Sequence, residues 1–231
     1  MNKVIQLKRL EKDFNYFVDE LTSLCKDDLS LINSVILDKL DSKIPLIQEI
    51  ASHLILSGGK RLRPLLTCCS FQMSKNKLNS EKQYIDLAAA IEFIHAATLL
   101  HDDVVDESKK RRGLLTANEV WGNKIRVLVG DFLFSRAFQL MSKNSSPKIL
   151  KLLADTSVTI SEGEVLELST DKNLTINEDI YLEVIHGKTA SLFSAACQVG
   201  GMSAQTSNEK IEALRSFGTN FGISFQLIDD A

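Results

Sequence analysis

Apolar residues recur along most of the chain at intervals of three and four positions, which is the spacing of one face of an α-helix. The chain has only 3 prolines and is rich in Leu, Ile, Ala, Lys and Glu, which favours helix further. The pattern predicts helices over residues 4–24, 30–56, 62–74, 81–106, 116–143 and 147–169, one that begins at Thr175 or Asn177, and one from Glu209 to the C-terminus. The sequence therefore predicts an all-α bundle of long helices.

Several polar and glycine positions predict where these helices begin and end. Gly58 and Gly59 should end the second helix, because glycine readily adopts the left-handed conformation that follows a helix. Asn79 or Ser80, and later Ser146, are candidate N-caps. Residues 109–113 form a basic loop in this prediction. With 231 residues, 44% of them hydrophobic, and no repeat or linker, the chain is expected to form one domain.

Charge and cysteine usage exclude several classes of protein. The net charge of −3 provides no general basic field for a nucleic acid, so no nucleic-acid partner is expected. The most apolar long run, residues 85–100, is interrupted by Asp86, Glu92 and His95, and no transmembrane helix is predicted. The four cysteines show no CxxC spacing, which favours core thiols and a reduced, cytoplasmic setting.

An acidic group followed by a basic pair is the most informative feature of the sequence. Asp102, Asp103 and Asp106 lie in an apolar helical run, and Asp102 and Asp106 share a helix face because they are four residues apart. Carboxylates this close need a compensating cation, and oxygen ligands suit Mg²⁺. Arg111 and Arg112 follow at once and can bind phosphate oxygens in a forked geometry. The combination predicts a site for a metal-bound diphosphate.

Other polar groups could complete that site, although each also has an ordinary structural interpretation. The glycines before Lys60 and Arg63 leave backbone N–H groups available to an anion at a helix start. His95 lies about two helical turns before Asp102, on roughly the same face. The further candidates are Lys188, Thr189, Gln226 and Asp229.

Together these motifs resemble the trans-isoprenyl diphosphate synthases, also called polyprenyl synthetases. The matching segments follow the family's order and cover nearly the whole chain beyond the first helix. One departure is Glu167, which stands where the family pattern leads us to expect Gln. The segments are 58–64, 95–106 with 111–113, 162–166, 187–189 and 225–230.

The resemblance implies an all-α, isoprenoid-synthase-type bundle of antiparallel helices around a central cavity, usually as a homodimer. It implies that Asp102 and Asp106 hold Mg²⁺ on an allylic diphosphate with support from Asp103, and that Asp229 binds a further Mg²⁺. For the allylic substrate, farnesyl diphosphate being the expected one, it implies contacts from Arg111, Lys188, Thr189 and Gln226. For isopentenyl diphosphate it implies Lys60, Arg63, His95 and Arg112.

The predicted residues suit the chemistry of such a reaction. Diphosphate is a poor leaving group until cations take up its developing negative charge. The resulting allylic carbocation is attacked by the double bond of isopentenyl diphosphate, and a proton is then lost. This needs no nucleophilic Ser or Cys, but it needs apolar walls that exclude water.

Small residues before the aspartates favour a long product. Positions four and five residues before Asp102 lie about one turn deeper on the helix, and they are Thr98 and Ala97, neither of them aromatic. In this family a bulky residue there would be expected of a short-chain enzyme. The run 91–108, with 129–132, also resembles bacterial octaprenyl diphosphate synthases, which make quinone side chains. A farnesyl or geranylgeranyl diphosphate synthase is the alternative.

Three other interpretations explain fewer of these residues. A terpene cyclase would have no task for Lys60, Arg63 and Arg112. A non-catalytic subunit would be expected to lose the first aspartate motif, and a generic helical interaction protein does not explain why acidic and basic motifs occur together. The chain ends directly after Asp229 and Asp230 without a capping signal, so we expect a polyprenyl synthetase domain that lacks its C-terminal helices. As a fragment, this chain is expected to catalyse little or no prenyl transfer, whereas the full-length protein is expected to be active.

Overall fold

The computed structural model describes residues 14–56, 59–75, 82–105, 110–111, 114–115, 121–170 and 177–231. Within these ranges the chain is built from α-helices, with one short π-helical segment and one two-residue strand pair. The helices are α1 (Phe14–Leu24), α2 (Lys26–Leu40), α3 (Pro45–Leu56), α4 (Leu62–Ser74), α5 (Gln83–Val105), α6 (Asn123–Asn144), α7 (Pro147–Thr170), α8 (Glu178–Ile185), α9 (Ser191–Ser203) and α10 (Asn208–Asp229). The predicted all-α architecture is confirmed.

Helix α5 lies at the centre of the fold and packs against α2, α4, α6 and α9. Its residues Leu87, Ala88, Ala89, Ala90 and Ile91 are completely buried on all sides. A helix that is apolar around its whole circumference belongs in an interior, and its alanines let neighbouring helices approach closely. The aspartates at the end of α5 are therefore attached to a helix that lies deep in the core.

The predicted helix over residues 30–56 is wrong, because the chain breaks between α2 and α3. Asp41 is extended with ψ 131°, and Pro45 begins α3. Proline is favoured in the first helical turn and disfavours helical backbone in the residue before it, so Pro45 fixes the start of α3 after α2 has ended at Leu40. Arg136 of α6 donates to the Asp41 carbonyl oxygen at 2.6 Å and satisfies the end of α2.

Helices α8 and α9 are joined by the π-helical segment His186–Ala190, which the periodicity did not predict. Asn177 caps α8 by accepting a hydrogen bond from the Ile180 N–H at 2.9 Å, as expected for one of the two candidate starts. The other candidate, Thr175, lies outside the described residues. Single π turns inside helices are frequent at functional sites, and this one contains two of the predicted site residues.

The predicted basic loop contains a small strand pair. Lys110–Arg111 (β1) pairs antiparallel with Leu114–Leu115 (β2). Residues 109, 112 and 113 lie outside the described part of the chain, as do the candidate caps Asn79 and Ser80 and the glycine Gly58. None of the described helices is long and apolar enough to cross a membrane.

The cysteines are core thiols, as predicted. Cys25, Cys68 and Cys197 are buried and Cys69 is half-buried, and all four are free thiols. The sulfur atoms of Cys25 and Cys69 lie 3.7 Å apart, where the start of α2 packs against α4.

Candidate active site

Asp102 and Asp103 project from the end of α5 toward different partners. Asp103 is almost completely buried and accepts a charged hydrogen bond from Arg126 of α6, whose side chain is equally buried. Asp103 therefore joins α5 to α6. Asp102 is also buried, but it lies on the side of α5 that faces Lys188 and Glu164.

Lys188 is the centre of an acidic and basic cluster. Its Nζ lies 2.6 Å from Glu167 Oε2 and 3.1 Å from Glu164 Oε2. Burial alone would lower the pKa of Lys188, but the hydrogen bond to Glu167 and the charges of Asp102 and Glu164 outweigh burial and raise it above its ordinary value. The ammonium is therefore charged and is held by carboxylates from another helix.

Glu164 is the most constrained carboxyl group of this cluster. Burial raises its pKa, while the nearby Lys188 charge acts in the opposite direction. Its Oε1 atom is buried without a hydrogen bond. A buried acceptor atom without a donor is costly unless a cation or water compensates it. Because Asp102 lies beside Glu164, this is a place where a cation would be stabilised.

Gly163 and Gly187 are in close contact, and this contact positions Lys188 beside the carboxylates of α7. A Cβ atom on Gly163 of α7 would lie 2.8 Å from the backbone nitrogen of Lys188, which is closer than real Cβ contacts allow. The π-helical segment containing Gly187 and Lys188 therefore touches α7 backbone to backbone. This approach sets Lys188 against Glu164 and Glu167, one and four residues after Gly163.

A second polar network links the π-helical segment to the end of α10. Thr189 Oγ1 donates to Gln226 Oε1 at 2.8 Å, and Gln226 Nε2 donates to Asp230 Oδ1 at 2.7 Å. Tyr181 of α8 donates its hydroxyl proton to Asp230 Oδ2 at 2.6 Å. This hydrogen bond raises the pKa of Tyr181. Asp229 is exposed beside this network, so Asp230 orders the end of α10 while Asp229 is accessible.

The two predicted basic residues around the start of α4, Lys60 just before the helix and Arg63 in its first turn, have different environments. Lys60 donates to Asn15 of α1 and is exposed. The Arg63 guanidinium lies 4.2 Å above the Phe193 ring, and its Nε is buried without a hydrogen bond. Burial lowers the pKa of Arg63 to about 10, although the charge of Glu92 opposes that shift. Arg63 therefore has an unused buried donor, whereas Lys60 faces α1.

The residues around Arg63 connect the basic element to α5 and α10. Glu92 of α5 accepts a hydrogen bond from Arg61, which also donates to the Ile55 carbonyl oxygen at 2.8 Å. The Phe193 ring under Arg63 lies 5.5 Å from the ring of Phe225. His95 is half-buried on α5, one turn beyond Glu92 on the way to Asp102.

The structure thus brings together part of the predicted set. It places Asp102 beside Lys188, and it joins Thr189 to Gln226. Asp106 and Arg112 lie outside the described residues, and Arg111 is described as strand backbone.

Sequence reasoning assigned no role to Arg126, Tyr181, Glu164 or Glu167. Glu164 and Glu167 are three residues apart on one helix face, and this is a local signal that could have been noticed. Their contact with Lys188 has no such local signal in the sequence, because Lys188 comes 21 residues after Glu167.

The donor set fits a hard cation. Carboxylate oxygens of Asp102 and Glu164 are the ligand type that Mg²⁺ prefers, and phosphate oxygens and water usually complete its coordination. Within the described ranges no three His, Cys, Asp or Glu side chains are grouped to hold a metal ion by themselves. Asp102 and Glu164 can therefore supply part of the oxygen coordination of a hard cation.

Comparison with known proteins places this geometry in a family. The polyprenyl synthetase family model matches residues 44–231. The chain is 42% identical to octaprenyl diphosphate synthase of Escherichia coli K12 over 213 residues, which is 92% of this chain and 65% of that protein. It is 35% identical to geranylgeranyl diphosphate synthase of Sulfolobus acidocaldarius over 94% of this chain and 64% of that protein. The chain thus spans about two thirds of the length of these relatives, at 65% and 64%.

A solved structure extends the match to the fold. It is a polyprenyl synthase from Caulobacter crescentus CB15, crystallised with calcium and isoprenyl diphosphate. The chain is 48% identical to it with a TM-score of 0.89, covering 92% of this chain and 64% of that one. This confirms the isoprenoid-synthase-type all-α fold, and the chain belongs to the polyprenyl synthetase family.

Proposed function

We propose that the protein is a Mg²⁺-dependent trans-polyprenyl diphosphate synthase that makes a long product, octaprenyl diphosphate, for quinone side chains. It adds isopentenyl diphosphate repeatedly to an allylic diphosphate, with farnesyl diphosphate as the expected primer. The observation that supports this best is the cluster of Lys188 with Asp102, Glu164 and Glu167, because it sets a cation and metal-type ligands side by side.

The roles of individual residues follow from this proposal. Asp102, Asp106 and Asp229 hold Mg²⁺, which supplies positive charge to the leaving diphosphate when it is bound. The allylic diphosphate is bound by Arg111, Lys188, Thr189 and Gln226, and isopentenyl diphosphate by Lys60, Arg63, His95 and Arg112.

Several described contacts suit these roles. Arg63 has a buried donor without a partner, which a diphosphate oxygen can accept from. Lys188 keeps its charge in a half-buried setting, where an ion pair is stronger than in open water. The aromatic rings of Phe193 and Phe225 provide apolar surface next to Arg63, which helps to exclude water from a carbocation.

Support for a long product comes from Thr98. Ala97 is completely buried in the core, whereas Thr98 is half-buried and its hydroxyl is bonded to the His95 carbonyl oxygen at 2.9 Å. Thr98 is therefore the small residue that leaves room for a long product. Octaprenyl synthases among the relatives favour the long product, and the geranylgeranyl synthase is the reason to keep a short product as the alternative.

We further propose that the chain is one polyprenyl synthetase domain, that the protein is a homodimer, and that it works in the cytoplasm. Helix α7 exposes Val158, Val165 and Leu168, each by half or more, on a surface that a second copy would cover. The four free thiols fit a reducing compartment.

The test incubates the full-length protein with Mg²⁺, radiolabelled isopentenyl diphosphate and farnesyl diphosphate, and the extracted products are then sized. We expect a ladder that ends near octaprenyl diphosphate, and we expect it to vanish with Asp102→Ala or with a chelator. A product that stops at geranylgeranyl diphosphate would support the short-chain alternative. Absence of any product from the full-length wild type would contradict the proposed activity.

A further inference from the structure

Lys188 is shared by two carboxylates of α7 that differ in exposure. The side chain of Glu164 is 21% exposed and that of Glu167 is 46% exposed, while Lys188 itself is 26% exposed. The more exposed carboxylate makes the shorter contact, 2.6 Å against 3.1 Å. Glu167 therefore combines a close ion pair with easy access to water.

The residue type at position 167 gives this contact its significance. The family resemblance leads us to expect Gln there, and a Gln side chain could accept the same hydrogen bond without a charge. With Glu167, this chain adds a second full negative charge to the environment of one substrate-binding ammonium. Nothing in the proposed reaction requires this charge, so its effect falls on Lys188.

We infer that Glu167 is a positioning residue that, together with Glu164, holds the Lys188 ammonium in place before substrate arrives, so that an incoming diphosphate has to displace Glu167. This inference rests on the proposed function, because it assumes that Lys188 binds a diphosphate.

The difference in exposure determines which carboxylate leaves. A displaced Glu167 regains water at once, because its side chain is almost half exposed. Glu164 is only 21% exposed, so its carboxylate would lose the ammonium with little water to replace it. Glu164 therefore stays with Lys188 while Glu167 exchanges with the diphosphate, and Glu167 weakens diphosphate binding compared with a neutral residue.

The experiment measures the affinity of inorganic pyrophosphate by calorimetry without a divalent metal. The variants are Glu167→Gln, Lys188→Met and the double variant. Glu162→Gln is the matched control, since Glu162 is an exposed carboxylate of the same helix and has no ion pair among the described residues. Melting curves establish that each variant is folded.

We expect Glu167→Gln to tighten pyrophosphate binding about threefold to tenfold, as a partly exposed ion pair would. Glu162→Gln should leave the affinity unchanged, and the gain should vanish in the Lys188→Met background, because the effect acts through that ammonium. Three outcomes would each overturn the inference. Glu167→Gln and Glu162→Gln could raise the pyrophosphate affinity equally, Glu167→Gln could fail to raise it, or the increase could persist in the Lys188→Met background.

The test of the Glu167 role and the test of the proposed function can fail independently of each other. Pyrophosphate affinity is measured without prenyl transfer, so the predicted pattern can appear in a protein that forms no prenyl product. If the wild type makes octaprenyl diphosphate but the variants show none of the predicted differences in pyrophosphate affinity, the role of Glu167 alone is overturned.

Discussion

Gly187 of the π-helical segment and Gly163 of α7 are in direct backbone contact, and a Cβ atom on Gly187 would lie 2.9 Å from Gly163 Cα. Neither position has room for a side chain unless the two elements separate. Since Lys188 and Glu164 are the next residues along each element, the spacing of the two glycines sets the geometry of the charged cluster.

Gly187→Ala should therefore destabilise the protein and weaken diphosphate binding. We expect a loss of about 1–3 kcal/mol, typical of overpacking a tight contact, measured by urea unfolding. Gly201→Ala is the matched control, because its added Cβ would meet the flexible end of Leu214, which can move. Equal losses in the two variants would contradict a special role for the glycine contact.

Neighbouring aspartates should behave differently when each is neutralised. Asp103→Asn removes the carboxylate charge that pairs with the buried Arg126 guanidinium, and this should cost about 3–5 kcal/mol of stability. Asp102→Asn removes a carboxylate that faces the charged cluster, so it should abolish product formation at little cost in stability. Thermal melts and product assays on both variants check this. A stable Asp103→Asn protein would show that the ion pair is dispensable.

Arg63→Leu should stabilise the protein but weaken the binding of isopentenyl diphosphate. Burial lowers the pKa of Arg63 to about 10, below its value in an unfolded chain. The folded state therefore loses this proton first, and the stability of the wild type should rise as pH increases through 10. At neutral pH the cost of the buried charge is fully present, so Arg63→Leu should raise Tm by about 2–4 °C.

Arg61→Leu is the control for that variant. It removes the partner of the buried Glu92 and should lower Tm. Isopentenyl diphosphate, the substrate assigned to Arg63, should raise the Tm of the wild type clearly more than that of Arg63→Leu. A lower Tm for both arginine variants would show that the Arg63 charge is stabilising.

Thr98→Phe should shorten the product by placing a ring one turn below Asp102. We expect the product ladder to end several isoprene units earlier, while the first condensation proceeds normally. Thr98→Val conserves shape and should retain the wild-type product length. A Phe variant with an unchanged ladder would place the length determinant elsewhere.

Much of the fold could be predicted from local patterns. Helices α4 and α7 lie within a residue of their predicted bounds, because capping residues and apolar spacing act within a few positions. The break at Pro45 was missed although proline is a local signal, since the apolar spacing on both sides continued through it. The π-helical segment was missed because its sequence, His186–Ala190, is compatible with an ordinary helix.

The sequence by itself determined the helical architecture and the kinds of chemistry available: grouped carboxylates on one helix end and scattered cations to match them. Which carboxylate meets which cation was decided by the tertiary structure alone. Asp103 pairs with Arg126 and Lys188 with Glu167, across 23 and 21 residues of chain. Helical periodicity sets only which face a side chain occupies on its own helix, whereas such pairs depend on how two helices cross. For Lys188 and Glu167, the contact of Gly163 with Gly187 and a π turn bring the two elements together, and local spacing reveals neither.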